Sequence, residues 1–265
     1  MDTAGYLASV FIGIALGLIG GGGSILTVPV LVYLFSIDAV LATAYSLFVV
    51  GTTSVVGSFS YFTKGLVNIR TAIVFGIPSI IAVYLTRAFI VPAIPNEIFS
   101  FGNFTVTKSM LLMLLFAVLM IFTSYSMIKK TKNVTDEAPQ KQQFNYSLIL
   151  VEGTLVGILT GLLGAGGGFL IIPALVLLSK LPMKEAVGTS LVIIAAKSLI
   201  GFFGESGETA IDWLFLLKVS AFAVIGILMG MVLSKRINAA KLKPAFGWFV
   251  LVMGVYIIVK ETILK

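Results

Sequence analysis

Residues 13–31, GIALGLIGGGGSILTVPVL, recur as GILTGLLGAGGGFLIIPAL at 157–175, at a constant offset of 144 and without a gap. Between Gly13 and Gly57, 17 of 45 positions are identical across that offset, among them Gly20, Gly22, Gly23, Pro29, Ser46 and Ser54. Leu and Val coincide readily in an apolar chain, but glycine, proline and serine together do not. The chain is therefore read as two copies of one unit, and any fold must build that unit twice. The strongly polar stretch from Lys129 to Gln143 separates them. The expected organisation is a first repeat at 1–128, a cytoplasmic linker at 129–145 and a second repeat at 146–265.

Each copy holds five apolar segments. They are expected at 4–21, 25–36, 40–62, 71–91 and 108–128, then at 146–165, 169–180, 185–204, 213–233 and 244–263. Hydrophobic residues make up 58% of the chain and charged residues 11%, too few to coat a soluble globule. The solvent is a lipid bilayer, and the chain is a multi-pass protein of the cytoplasmic membrane. With neither His nor Cys, it lacks imidazole bases, thiolate nucleophiles and His or Cys metal ligands. No catalytic constellation, metal site or cofactor motif appears, so the chain is not read as an enzyme. The net charge of +7 reflects loop cations that set topology, not nucleic-acid binding. The opening Met1-Asp2-Thr3 has no basic stretch, so the first apolar segment is expected to stay in the mature protein.

The second segment of each copy is too short to span, since twelve helical residues cover about 18 Å of a core about 30 Å thick. Segments one and two meet at Gly20-Gly21-Gly22-Gly23-Ser24 and at Gly164-Ala165-Gly166-Gly167-Gly168, where the helix must break. The break is either a hairpin that returns to its own side or an interruption in a single crossing, and loop charges choose between them. Lys64 and Arg70 correspond to the loop of Glu205, Glu208 and Asp212, while Asp38 lies near the counterpart of Lys180 and Lys184. Such sign inversion requires corresponding loops on opposite sides. With the N-terminus outside, twelve of eighteen cations are cytoplasmic; four crossings per copy would leave Lys180, Lys184 and the Lys235–Lys243 cluster outside. The expected fold class is thus an all-α polytopic membrane protein of two inverted-topology repeats. Each has a glycine-broken helical hairpin plus three membrane helices.

Inverted repeats with broken helices recur in secondary transporters, whose sites lie where the breaks meet. Unpaired backbone at membrane depth is tolerated where it lines a cavity or is buried in protein. Glycine also admits a ligand close to the main chain, and a resuming helix presents free N–H groups to an anion. Gly22, Gly23, Ser24, Gly166, Gly167 and Gly168 are accordingly candidate substrate-binding residues. Gly13, Gly17, Gly153, Gly157 and Gly161, spaced four apart, are assigned to helix packing. A second matched motif, Ala44-Tyr45-Ser46-Leu47 against Gly188-Thr189-Ser190-Leu191, adds Ser46, Thr189 and Ser190 as candidate hydroxyl donors. Their alternative is a bond to a carbonyl of their own helix or a tie between helices.

Lys197 is the most informative single residue. It falls mid-segment, where insertion of a lysine costs about 2.5–3.5 kcal/mol and such residues usually face a cavity or partner. Its counterpart is the uncharged Thr53. One cation beside a pseudo-symmetric site favours an anionic substrate, against the alternative that the side chain snorkels. Lys218, nearer the end of its segment, is read as snorkelling, and Glu152 as interfacial.

The duplicated glycine break followed by Pro29 or Pro173, then Ser46 or Ser190, resembles the TauE/SafE sulfite exporter family, also called the toluene sulfonate uptake permease family. The resemblance covers nearly the whole chain. It implies a prokaryotic-type transporter of a sulfur-containing anion such as sulfite, thiosulfate, sulfoacetate or another organosulfonate, and the family spans export and uptake. By position its glycine motifs fall on Gly20 to Ser24 and Gly164 to Gly168. The expected function is a secondary carrier working by alternating access and coupled to H+ or Na+. A passive anion channel and a non-transporting scaffold are the alternatives. The partners implied are the anion, the lipid bilayer, a coupling ion and, as one option, a second copy in a homodimer.

Overall fold

In lipid every backbone N–H and C=O needs an internal partner, so long apolar runs become helices. A computed structural model describes residues 2–101, 104–128, 146–177, 181–204, 211–234 and 239–263. The first half contains α1 (Asp2–Ile19), a 3₁₀ turn at Gly21–Leu26, α2 (Thr27–Tyr33), α3 (Ala39–Phe62) and α4 (Ile69–Ala93), which includes a π turn at Thr86–Ile90. A two-stranded antiparallel hairpin, β1 (Glu97–Phe101) with β2 (Phe104–Thr107), leads to α5 (Lys108–Ile128). The second half contains α6 (Tyr146–Leu163), α7 (Gly168–Leu177), α8 (Met183–Phe203), α9 (Trp213–Leu233) and α10 (Ala239–Thr262). Among the described residues six helices, three per half, are long and apolar enough to cross a membrane: α3, α4, α5, α8, α9 and α10. The protein is an all-α polytopic membrane protein.

Helix starts follow the repeat. α3 and α8, and α4 and α9, begin 144 residues apart, and Gly20 and Gly164 break the chain at φ 76° and 67°. Caps recur at the same offset: Asn68 Oδ1 accepts from Thr71 N at 3.0 Å before α4, and Asp212 Oδ1 accepts from Phe215 N at 3.0 Å before α9.

After the break, α2 returns the chain to the end where α1 began. Gly23 lies against Ala15 and Leu16, and the ring of Phe35 is 5.4 Å from that of Tyr6. A straight continuation would carry residue 35 away from residue 6, so α1 and α2 form a hairpin. α3 and α8 run antiparallel, with Leu47 against Gly201, Gly51 against Leu199 and Tyr61 against Gly188. α5 and α10 are also antiparallel, Gly247 meeting Met127 and Gly254 meeting Ala117. These directions are the ones an inverted repeat requires; four crossings per copy would make α3 and α8 parallel.

The glycines assigned to packing line two parallel seams. Gly13 and Gly17 of α1 lie on Ala223, Ile227 and Gly230 of α9, while Gly153, Gly157 and Gly161 of α6 lie on Pro78, Ser79, Val83 and Thr86 of α4. A methyl group on Gly157 would stand 2.5 Å from the Ser79 carbonyl oxygen, so only glycine permits this approach.

The sequence reading assigned no element between the fourth and fifth segments, and that stretch holds the β1–β2 hairpin, built from aromatic and β-branched runs. Arg87, within the expected fourth segment, sits in the π turn at 0% exposure. The expected linker at 129–145, and Lys180, Glu205, Glu208, Lys235 and Arg236 of the charge argument, lie outside the described residues.

Candidate functional site

The two glycine breaks touch one another. A Cβ on Gly21 would collide with the Gly168 main chain, and one on Gly168 with Gly21, so two backbones cross where no side chain fits. Ser24 Cβ would stand 3.4 Å from a Cβ on Gly166. The breaks differ in form. In the first half Gly21–Leu26 tightens into a 3₁₀ turn, whereas Gly166 and Gly167 take φ 64° and 68° before α7 resumes at Gly168.

α3 and α8 hold this crossing between them. Val187 of α8 stands over Gly20, and Thr43, its repeat counterpart in α3, stands over Gly164. Val50 and Ile194, again counterparts, both stand against Gly166. One turn to either side of Val50 on the same helix face lie Ser46 and Ser54, and one turn to either side of Ile194 lie Ser190 and Ser198. All four serines are at 0% exposure. Ser190 Oγ donates to Val187 O at 2.8 Å, while among the described residues the hydroxyls of Ser46, Ser54 and Ser198 have no hydrogen-bond partner, as is also true of Thr71, Ser79, Thr86 and Ser220 elsewhere. The three serines beside the breaks can therefore each donate to a polar ligand or water. Ser24 Oγ, in contrast, donates to Gly21 O at 2.7 Å and closes its own turn.

Lys197 is fully buried, and its Nζ donates to Thr160 Oγ1 at 3.0 Å. Thr160 Oγ1 in turn donates to Val156 O at 2.6 Å, one helical turn back in α6. A methyl on Gly167 would stand 2.7 Å from Lys197 Nζ. The lysine therefore does not snorkel; it bends to the second break, where glycine alone leaves room for its Nζ.

Thr189 faces elsewhere. Its Oγ1 accepts from Asn68 N at 2.9 Å, and its counterpart Tyr45 accepts through its hydroxyl from Asp212 N at 2.7 Å. Asn68 and Asp212 are themselves counterparts and are the N-caps of α4 and α9. Tyr45 and Thr189, unlike in size, thus do the same work: each ties its helix to the cap of the other half's fourth helix.

Of the sequence candidates, the structure brings Ser24, Gly166, Gly167, Gly168 and Lys197 together at the crossing, while Gly23 packs on Ala15 and Leu16 of α1 and Gly22 lies in the 3₁₀ turn between Gly21 and Gly23. Ser46 and Ser190 flank it, and Thr189 is set apart. Sequence reasoning missed Thr160, Ser54 and Ser198. The signal for Thr160 was present: the repeat departs from itself at Leu16/Thr160 and at Thr53/Lys197, and these two departures meet in space. Among the described residues no cluster of acidic side chains offers a metal site.

The profile of the family described as "Sulfite exporter TauE/SafE" matches residues 6–257. A "Probable membrane transporter protein" of Xylella fastidiosa (strain 9a5c) is 29% identical over 255 residues, covering 93% of this chain and 91% of that one. The "Probable membrane transporter protein YunE" of Bacillus subtilis (strain 168) is 29% identical over 234 residues, covering 83% and 84%. No solved structure matches this chain.

Proposed function

The chain belongs to the sulfite exporter TauE/SafE family, and from that premise we propose that this membrane transporter is a secondary carrier for a sulfur-containing oxyanion. The anion binds where the two glycine breaks cross. Main-chain N–H groups at Gly22–Ser24 and Gly166–Gly168, with the hydroxyl of Ser46 and that of Ser190 once it turns from Val187 O, hold its oxygens, and Lys197 supplies the attraction. The observation that carries this reading is the fully buried Lys197 amino group set against Gly167 in a crossing flanked by serine hydroxyls that have no partner among the described residues. A cation and hydroxyl donors suit an oxyanion, and the family's description as a sulfite exporter agrees with sulfite, thiosulfate, sulfoacetate or another organosulfonate.

The two halves, 1–128 and 146–265 around the linker, act as an inverted repeat with the N-terminus outside. The antiparallel pairing of α3 with α8 and the hairpin return of α2 support this topology. Alternating access then exposes the crossing to one side at a time, as α3 and α8 shift across the breaks, and transport is ion-coupled.

The deciding experiment is counterflow in proteoliposomes with sulfite, thiosulfate, sulfoacetate and a carboxylate analogue. The carrier reading expects saturable exchange of the sulfur oxyanions and none of a cation. Large unitary conductance would identify a channel instead, and the absence of both activities a scaffold.

A further inference from the structure

Lys197 poses a charge problem that the binding role alone does not solve. Among the described residues its Nζ makes one hydrogen bond, to the neutral Thr160 hydroxyl, and no ion pair. The titratable and charged groups on the surrounding elements stand elsewhere. On α3, Tyr45 binds the Asp212 amide and Tyr61 packs on Gly188. On α4, Arg70 sits in the first turn, while Tyr84 and Arg87 pack on Gly204 at the far end of α8. On α8 itself Lys184 and Glu185 are in the first turn, and on α6 Glu152 is two turns before Thr160. Neither α7 nor the 3₁₀ turn carries any such group. A buried ammonium without a carboxylate is stable only while a mobile anion neutralises it.

We propose that Lys197 carries the coupling proton. The amine takes up one proton as the substrate anion binds, the Nζ lone pair forming the new N–H bond. The site crosses as an ammonium–anion pair, and on the other side the proton returns to water as the anion leaves. Proton and anion move in the same direction, one for one, and the empty carrier returns with a neutral amine hydrogen-bonded to Thr160. This deepens the anion-carrier reading and rests on it.

The test uses the full-length protein in proteoliposomes with labelled thiosulfate and, in parallel, labelled methanesulfonate. Both are anions of strong acids, so the proton cannot travel on the substrate. With the membrane potential clamped at zero, an inside-alkaline gradient should raise accumulation about tenfold per pH unit. An internal pH dye should show acidification in step with anion entry. Lys197→Arg, which cannot lose its proton, should exchange the anion more slowly, and the exchange that remains should no longer respond to the pH gradient. Counterflow in the wild type without gradient-driven accumulation or internal acidification overturns the coupling while leaving the carrier reading intact. A Lys197→Arg protein that still follows the gradient tenfold overturns the role of Lys197. Absence of counterflow for both anions overturns the carrier reading and this inference with it. Should Lys197→Arg fail to insert, the dye measurement on the wild type still decides whether a proton enters with each anion.

Discussion

Lys197 Nζ donates to Thr160 Oγ1 at 3.0 Å, and a methyl on Gly167 would fall between them. The pair joins α8 to α6 at the second glycine break, and the first half has no equivalent, because Thr53 and Leu16 occupy the corresponding positions. Removing the acceptor leaves the buried Lys197 Nζ without its hydrogen-bond partner, whereas removing both groups does not. Thr160→Val is therefore expected to raise the KM for the transported anion about tenfold, with Thr160→Ser restoring it. The double variant Thr160→Val with Lys197→Met should be more stable to heat in detergent than Thr160→Val alone. Equal melting temperatures for the single and double variants would show that the hydrogen bond carries no weight.

The contact of Gly21 with Gly168 predicts intolerance at both positions. A Cβ on either would enter the other's main chain, and overpacking of this kind typically costs about 1–3 kcal/mol. Gly21→Ala and Gly168→Ala should reach the membrane but transport at least about tenfold more slowly than the wild type. Gly76→Ala is the contrasting case, since its Cβ would meet only Ile193 Cγ1, at 3.8 Å, in ordinary contact. It should transport normally and melt no lower.

Tyr45 and Thr189 predict a matched pair of stability effects. Tyr45→Phe and Thr189→Val each remove the acceptor for the amide of an N-cap residue, Asp212 or Asn68. Interhelical hydrogen bonds in membranes are worth about 0.5–1.5 kcal/mol, so each variant should lower the melting temperature by a similar few degrees while leaving the KM unchanged. A KM that rises for Thr189→Val but not for Tyr45→Phe would return Thr189 to the binding site.

Topology can be read chemically, because the native chain has no cysteine. Lys64 and Asn96 are exposed at the two ends of α4. With the N-terminus outside, Lys64→Cys should react with an impermeant maleimide only from the cytoplasmic side and Asn96→Cys only from the external side. The reverse pattern would invert the orientation, and labelling of both from one side would break the topology.

What the sequence determined by itself is periodic and local. A repeat at 144 residues, apolar run lengths and the sorting of loop charges suffice to place helices, because lipid forces long apolar runs to pair their own backbone. The expected starts at 108 and 213 coincide with those observed, and those of α3, α4 and α8 shift by one or two residues. Glycines spaced four apart were also legible as packing seams, since that spacing puts them on one helix face.

Tertiary structure decided what depends on which faces meet. Thr189 and Ser190 are neighbours in one motif, yet a rotation of 100° between successive helical residues turns one to the Asn68 cap and the other to the break. Thr160 looks like any helix threonine until α6 and α8 bring it to Lys197. The asymmetry of the site is likewise tertiary: two nearly equal glycine runs cross at Gly21 and Gly168, and only the second meets a cation. Repetition in sequence specifies the same helices twice, but a buried charge is placed by the packing of non-equivalent neighbours around it.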